Sequence, residues 1–283
     1  MKMKSAIKKD GALIAEIESC LGDAENFHVW WLGQSGYLIL WDGKKILVDP
    51  YLSDSLTKKY DGTTKPHVRI SERVVDPNLL RNISIVSSSH NHTDHLDAET
   101  LIPLIRQNPE MVMIIPEANR DFVAERIQMP KDFPIGISDG QSVSAYGFTF
   151  FGVPAKHNTI ERNERGYCKH MGYVISFGPW SVYHSGDTLW YDNMVELLTP
   201  HHIDLALLPI NGNDPSRGVA GNLDPKEAAV LGKSISAKRV IPCHYDLFEF
   251  NTADPNDFVE EAIKIRQLHK VLEPGGHFSS SEF

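Results

Sequence analysis

Residues 90–95 read His-Asn-His-Thr-Asp-His, which crowds three imidazoles and a carboxylate into one short segment. Such a group wants a divalent cation, because neutral ring nitrogens and ionised carboxylate oxygens are the donors these ions take. The apolar run from Ile83 to Ser88 leads straight into it and reads as a strand, so the cluster stands at a strand's C-terminal end. In extended chain His90 and His92 point the same way and can reach one ion, since side chains alternate with period two. The chain must then turn for Asp94 and His95 to face a second ion. The competing reading is a polar surface loop where a few of the 13 histidines collect, but spacing this tight arises by chance in roughly one of several hundred such chains.

Three further donors stand where strands end: His157 after Phe148 to Val153, Asp187 after Val182 to His184, and His244 after Arg239 to Pro242. Asp49 closes the apolar run Ile46-Leu47-Val48, where an unpaired buried carboxylate would be costly. It is either an acceptor for a neighbouring donor or an ordinary strand-end turn residue. His184 either points into the same cavity or packs in the core. Arg217, in a loop punctuated by Gly and Pro, is either a bidentate anion ligand or an exposed arginine. Tyr245 and Lys156 adjoin candidate ligands and are weaker pocket candidates. Cys243 is turned away from the site by strand alternation and reads as core. His28, His67, His170, His201, His202, His269 and His277 read as structural or exposed, and Trp30 and Trp31 as core.

The elements that must position these groups come in two series. Ala6 to Leu21 carries Ile7, Leu13, Ile14, Ile17 and Leu21 at helical spacing, so residues 1–25 are expected to form a helix packed on the rest. Strands follow at His28 to Leu32, Tyr37 to Trp41 and Lys45 to Val48, with a turn at Asp42-Gly43. From Ile83 strands alternate with helices, near Asp97 to Arg106 and Glu117 to Ile127, with a strand at Met111 to Ile115 between them. Asp97 is placed to cap the first of these helices. Strands return at Ser142 to Tyr146, Phe148 to Val153, Gly172 to Phe177 and Ser181 to His184. A second strand and helix series then runs through Leu205 to Ile210, Pro225 to Ile235, Arg239 to Pro242 and Pro255 to His269, with a closing strand around Val271. This pattern predicts an α/β fold of two sheets face to face with helices on both outer faces, built as a single domain over 1–283. The long polar segments Ser53 to His67, Lys156 to His170 and Asn211 to Asp224 are candidates for substrate-contacting loops.

Composition narrows the partners. With 283 residues and 41% hydrophobic content the chain can bury a large core. A formal net charge of -9 disfavours binding of long nucleic acid, which needs clustered Lys and Arg. Three cysteines, Cys20, Cys168 and Cys243, imply free thiols in a reducing compartment rather than a disulfide framework. The basic start Met1-Lys2-Met3-Lys4 is followed by apolar residues interrupted at Glu16 and Glu18, unlike a cleavable leader. No stretch approaches the roughly 18 apolar residues of a membrane span, so the expectation is a cytoplasmic protein with no membrane partner.

The order H-x-H-x-D-H, a later His, an Asp in Ser-Gly-Asp and a final His resembles the ligand series of the metallo-β-lactamase superfamily. The resemblance implies an αββα sandwich of two mixed β-sheets and a dinuclear site. His90, His92 and His157 would hold one ion, Asp94, His95 and His244 the other, and Asp187 would bridge them. It also implies that Asp49 supports the histidine loop. Within that superfamily, Trp30-Trp31-Leu32-Gly33, Tyr183-His184-Ser185-Gly186-Asp187 and Asp214-Pro215-Ser216-Arg217-Gly218 resemble the bacterial ascorbate-6-phosphate lactonase group. That resemblance spans most of the chain and favours manganese, while zinc suits the general fold and iron is least favoured.

The chemistry expected of such a site is hydrolysis. Water held between two cations has a pKa lowered toward ~7, and the resulting bridging hydroxide attacks a carbonyl or phosphoryl centre polarised by one ion. Asp94 is the candidate to orient it and collect its proton. The leading expectation is a small anionic substrate, a lactone or phosphorylated sugar-acid lactone. The alternatives are a phosphodiesterase acting on a small nucleotide or phospholipid headgroup, and a catalytically silent metal-binding scaffold. A di-iron oxygen-reducing relative is disfavoured, because that branch carries Glu at the place of His92 together with a flavin domain. The N-terminal helix and aromatic surface candidates leave room for a homo-oligomer.

Overall fold

The computed structural model describes residues 3–283; Met1 and Lys2, part of the basic start, lie outside the described residues. Helix α1 (Asp10–Ser19) precedes strands β1 (His28–Gly33), β2 (Gly36–Trp41) and β3 (Lys44–Val48). Then come α2 (Ser55–Lys59), β4 (Ile83–Ser87), α3 (Ala98–Gln107), β5 (Val112–Pro116), α4 (Arg120–Arg126) and β6 (Pro134–Ile137). The second half runs β7 (Ser142–Ala145), β8 (Phe148–Pro154), β9 (Met171–Phe177), β10 (Trp180–His184), α5 (Met194–Leu198) and β11 (Leu205–Pro209). It closes with α6 (Pro225–Ser234), β12 (Arg239–Cys243), α7 (Pro255–Lys264) and β13 (His277–Ser279).

These strands form a seven-stranded sheet, β13-β1-β2-β3-β4-β5-β6, and a six-stranded sheet, β12-β11-β10-β9-β8-β7. Both are mixed, as expected: β1 to β3 and β7 to β10 are antiparallel meanders, whereas β3 to β6 and β10 to β12 run parallel. The parallel portions coincide with the strand and helix series, because a parallel neighbour requires a crossover connection. Asp42 and Gly43 both take positive φ, 46° and 68°, which suits the tight turn between β2 and β3.

Alternation along the first sheet sorts its side chains into two cores. Val29, Trp31, Tyr37, Ile39, Ile46 and Val48 face the second sheet. Trp30, Leu32, Leu38, Leu40 and Leu47 face outward, beneath Leu13 and Ile17 of α1, Leu101 and Leu104 of α3, and Val123 of α4. Each such side chain, fully buried, contributes about 1.5–3 kcal/mol. On the other outer face Leu198 of α5, Leu231 of α6 and Phe258 of α7 belong to the same contiguous buried cluster as the residues between the sheets.

The boundaries differ from expectation at identifiable places. Helix α1 begins only at Asp10, because the backbone before it pairs with residues 70–72. Asp97 occupies the N-cap of α3, yet its carboxylate accepts from Ser55 Oγ and Thr100 Oγ1 and makes no cap to the backbone. The last helix stops at Lys264, and Arg266 turns left-handed at φ 56°. No strand forms around Val271; that stretch makes a single bridge between His269 and Val240, and the closing strand is His277–Ser279, paired antiparallel with β1. Strand β6 was not foreseen, since Pro134 and Gly136 weaken its signal, but a sheet edge tolerates proline. Among the described residues no helix is long and apolar enough to cross a membrane.

Candidate metal centre

Strands β8, β10 and β12 run in one direction, and their C-terminal ends deliver His157, Asp187 and His244 beside the loop that leaves β4. All seven candidate donors meet there. His90, His92 and His157 each offer a donor atom within 4.8 Å of the others; so do Asp94, His95 and His244, and so do His90, His95 and Asp187. His157 Nε2 lies 3.1 Å from His92 Nδ1. Asp187 Oδ2 lies 3.4 Å from His95 Nε2 and 3.3 Å from His244 Nε2. Asp94 Oδ2 lies 3.7 Å and 3.8 Å from the same two nitrogens. His90, His95, His157, Asp187 and His244 are buried, whereas His92 and Asp94 reach the cavity edge.

The donor set fits divalent cations. His90 Nε2, His95 Nε2 and Asp187 Oδ1 are buried without a hydrogen-bond partner, a condition that costs about 1–3 kcal/mol per atom unless something else satisfies it. Burial and the neighbouring imidazoles hold His90 well below the usual histidine range, and burial brings His157 down to about 4, so both are neutral donors at neutral pH. Burial alone would raise Asp187, but His244 and His95 outweigh it and keep the carboxylate ionised. No thiol belongs to the set, so nitrogen and oxygen donors define it.

The surroundings lock these side chains. Asp49, left-handed at φ 45° directly after β3, accepts from His95 Nδ1 at 2.6 Å and from Ser89 N at 2.7 Å. His157 Nδ1 lies 3.3 Å from the Gly221 carbonyl. Gly186 takes φ 60°, and a Cβ there would sit 2.7 Å from Ser89 Cβ, so only glycine lets the Asp187 loop pass this close. Arg126 donates to the carbonyls of Asn91 and Leu96 at 2.7 Å and 3.1 Å and so pins the histidine loop.

The centre opens into a cavity of about 560 Å³. Segment 53–67 contributes Leu56, Lys59, Tyr60, Lys65 and His67 to its wall, and segment 211–224 contributes Gly218, Val219 and Ala220. Tyr60 and His67 stack with centroids 4.2 Å apart. The third long segment contributes only His157, its remainder being held elsewhere, in part through Arg162 and Asp139.

Several candidates do not face this cavity. His184 is buried, with Nε2 2.9 Å from the Ser35 carbonyl and Nδ1 accepting from Gly186 N, so it braces the Asp187 loop. Arg217 gives Nη1 to Asn251 Oδ1 and Nη2 to the carbonyls of Asn211 and Gly212, with Nε buried and unpartnered, so its head stiffens its own loop and does not line the cavity. Tyr245 donates to the Leu272 carbonyl deep in the fold, and Lys156 is engaged through its backbone.

Gln34 went unnoticed in the sequence. It is fully buried in the turn between β1 and β2, at φ 51°, and its Nε2 lies 2.9 Å from Asp94 Oδ2 and 3.1 Å from His244 Nε2. Its carbonyl accepts from the Trp31 indole and from His244 N. A polar residue between glycines, Gly33-Gln34-Ser35-Gly36, joining two apolar strands was the available signal. His67 and His170, which read as structural or exposed in the sequence, also stand at the centre: His67 lines the cavity, and His170 packs with its ring centroid 5.1 Å from that of His90, burial lowering it to about 4.

Comparison with known proteins finds relatives of this chain. The family described as Beta-lactamase superfamily domain matches residues 44–245, a span that contains all seven donors. A protein of Sulfurisphaera tokodaii named as a metal-dependent hydrolase is 26% identical over 246 residues, covering 87% of this chain and 96% of the relative. Igni18, a metallo hydrolase from Ignicoccus hospitalis, superposes with a TM-score of 0.66 at 23% identity over 90% of this chain and 98% of that one. CmlA, a diiron β-hydroxylase from Streptomyces venezuelae, superposes with a TM-score of 0.67 at 14% identity, covering 89% of this chain and 53% of that one. The two structural likenesses bear on the fold, in which the expected two-sheet sandwich is shared.

Proposed function

Because the chain belongs to the beta-lactamase superfamily, we propose that it is a metal-dependent hydrolase that holds two divalent cations and acts on a small anionic substrate, a lactone above all. His90, His92 and His157 would hold one cation, Asp94, His95 and His244 the other, and Asp187 would stand between them. The observation that carries this reading is the convergence of buried, unpartnered donor atoms, His90 Nε2, His95 Nε2 and Asp187 Oδ1, below a cavity open to solvent. When bound, such cations supply acidified water and polarise the scissile oxygen.

The chain's own residues do the rest. Asp94, whose side chain is 16% exposed, would orient the attacking water and collect its proton. Lys59, Lys65 and Arg126 line the cavity, and their positive charge favours an anion. The Tyr60 and His67 stack offers a flat wall for a ring. The motif resemblance to the ascorbate-6-phosphate lactonase group supports a phosphorylated sugar-acid lactone as the substrate class. Manganese or zinc fits the donors, with iron third. The three unpaired thiols suit a reducing compartment such as the cytoplasm.

The test is to load the full chain with Mn2+, Zn2+ or Fe2+ and offer phosphorylated lactones, neutral lactones and small phosphodiesters. Lactone opening that falls by at least about 10²-fold in Asp94→Ala supports the proposal. The stacked wall would equally take a nucleobase, so turnover of a small nucleotide phosphodiester with inert lactones favours the second reading, a phosphodiesterase.

A further inference from the structure

At the opposite end of β1 from Gln34, a second group of donors converges. One donor atom from each of Cys20, His28 and His277 lies within 4.8 Å of the other two. Cys20 ends α1, His28 begins β1 and His277 begins β13, so three separate elements bring them together. All three lie outside the span matched by the superfamily.

We propose that Cys20, His28 and His277 form a separate site for a thiophilic divalent cation such as zinc, with Asp23 orienting His28. The two imidazoles approach through His28 Nδ1 and His277 Nε2, which share a hydrogen bond at 3.0 Å; a tetrahedral ion between them needs them only a little farther apart, at roughly 3.3–3.4 Å. The other ring nitrogen, His28 Nε2, lies 3.2 Å from Asp23 Oδ2. A carboxylate on the far nitrogen is how proteins fix the tautomer and direction of a metal-binding imidazole. Trp30 stacks on His277 with centroids 4.6 Å apart and planes 19° apart, which holds that ring in place.

The donor chemistry sets the class of ion. One sulfur with two imidazole nitrogens selects zinc over manganese or magnesium, in contrast to the nitrogen and oxygen set at the main centre. Cys20 and His277 are half-buried, which leaves room for solvent as a fourth donor. An ion bound there would displace the Cys20 thiol proton, so its affinity falls as pH is lowered. Bound there, it would fasten the end of α1 to β1 and β13.

Cobalt distinguishes this site from the main centre, whose donors include no sulfur. Co2+ titrated into the full chain under reducing conditions, until the main centre is also filled, is expected to raise a near-ultraviolet thiolate-to-cobalt charge-transfer band whose final amplitude corresponds to one thiolate-bound cobalt per chain. Zn2+ should abolish the band and slow alkylation of Cys20 several-fold. Cys20→Ser and His277→Ala should lack the band, and Cys20→Ser should retain hydrolysis. No band in the unaltered chain, or a band that survives Cys20→Ser, overturns the proposal and leaves Asp23, His28 and His277 as a hydrogen-bonded relay.

Discussion

Asp49 Oδ2 meets His95 Nδ1 at 2.6 Å, with neither side chain exposed to solvent. The same carboxylate takes the backbone and hydroxyl donors of Ser89, so one residue at the end of β3 fixes both the start and the last imidazole of the histidine loop. Holding Nδ1 turns His95 Nε2 toward Asp94 and Asp187. Asp49→Ala should therefore weaken metal binding by about 10–100-fold. It should also cost about 3 kcal/mol of stability, because three buried donors lose their acceptor. Asp49→Asn, which keeps an acceptor oxygen, should recover part of both. Metal titration and denaturant unfolding read the two effects separately.

Gln34 bridges Asp94 and His244 but touches none of His90, His92 and His157 through its side chain. Gln34→Leu should accordingly weaken one of two bound ions, by about tenfold, and leave the other unchanged. Equal weakening of both would contradict this placement; a calorimetric titration resolves the two events.

Lys65 Nζ donates to the Gly218 carbonyl at 3.1 Å and stands at the cavity mouth with its charge exposed. For an anionic lactone, Lys65→Met should raise KM about tenfold, equivalent to roughly 1.4 kcal/mol, with kcat little changed. For a neutral lactone KM should not move, and added salt should shrink the difference. Steady-state kinetics on a matched pair of substrates checks it.

Asp139 and Arg162 form a two-point contact, 3.0 Å and 2.7 Å, that closes the segment carrying His157. Burial works to raise the Asp139 pKa, but the hydrogen bonds from Arg162, Cys168 and Ser138 outweigh it and lower it. A lowered carboxylate contributes stability that is complete above its unfolded value, near 3.8, and is lost as pH falls through the folded one. Asp139→Asn should thus be less stable than the unaltered chain at neutral pH, by no more than about 1 kcal/mol for so exposed a pair. The gap should close well below pH 3.8. Urea unfolding at both pH values measures it.

The fold was legible where periodicity was strong. Strands such as β1, β3 and β10 announce themselves by apolar runs, and donors placed just beyond strand ends pointed to the centre. What escaped depends on contacts between distant segments. Gln34 stands 60 residues from Asp94 and 210 from His244, so nothing local marks its role. Arg217 suggested an anion ligand from its loop chemistry, but only the folded loop shows Asn251 and two carbonyls engaging both of its Nη atoms. His28 and His277 read as ordinary histidines until the pairing of β1 with β13 brought them together.

The most direct measurement is the number of ions bound per chain, by native mass spectrometry of metal-saturated Cys20→Ser protein, in which the proposed thiolate site is removed. Two ions per chain, with both weakened in Asp187→Ala, is the predicted result. A single ion or none at saturation, or a count untouched by Asp187→Ala, would contradict a dinuclear centre built on His90, His92, Asp94, His95, His157, Asp187 and His244.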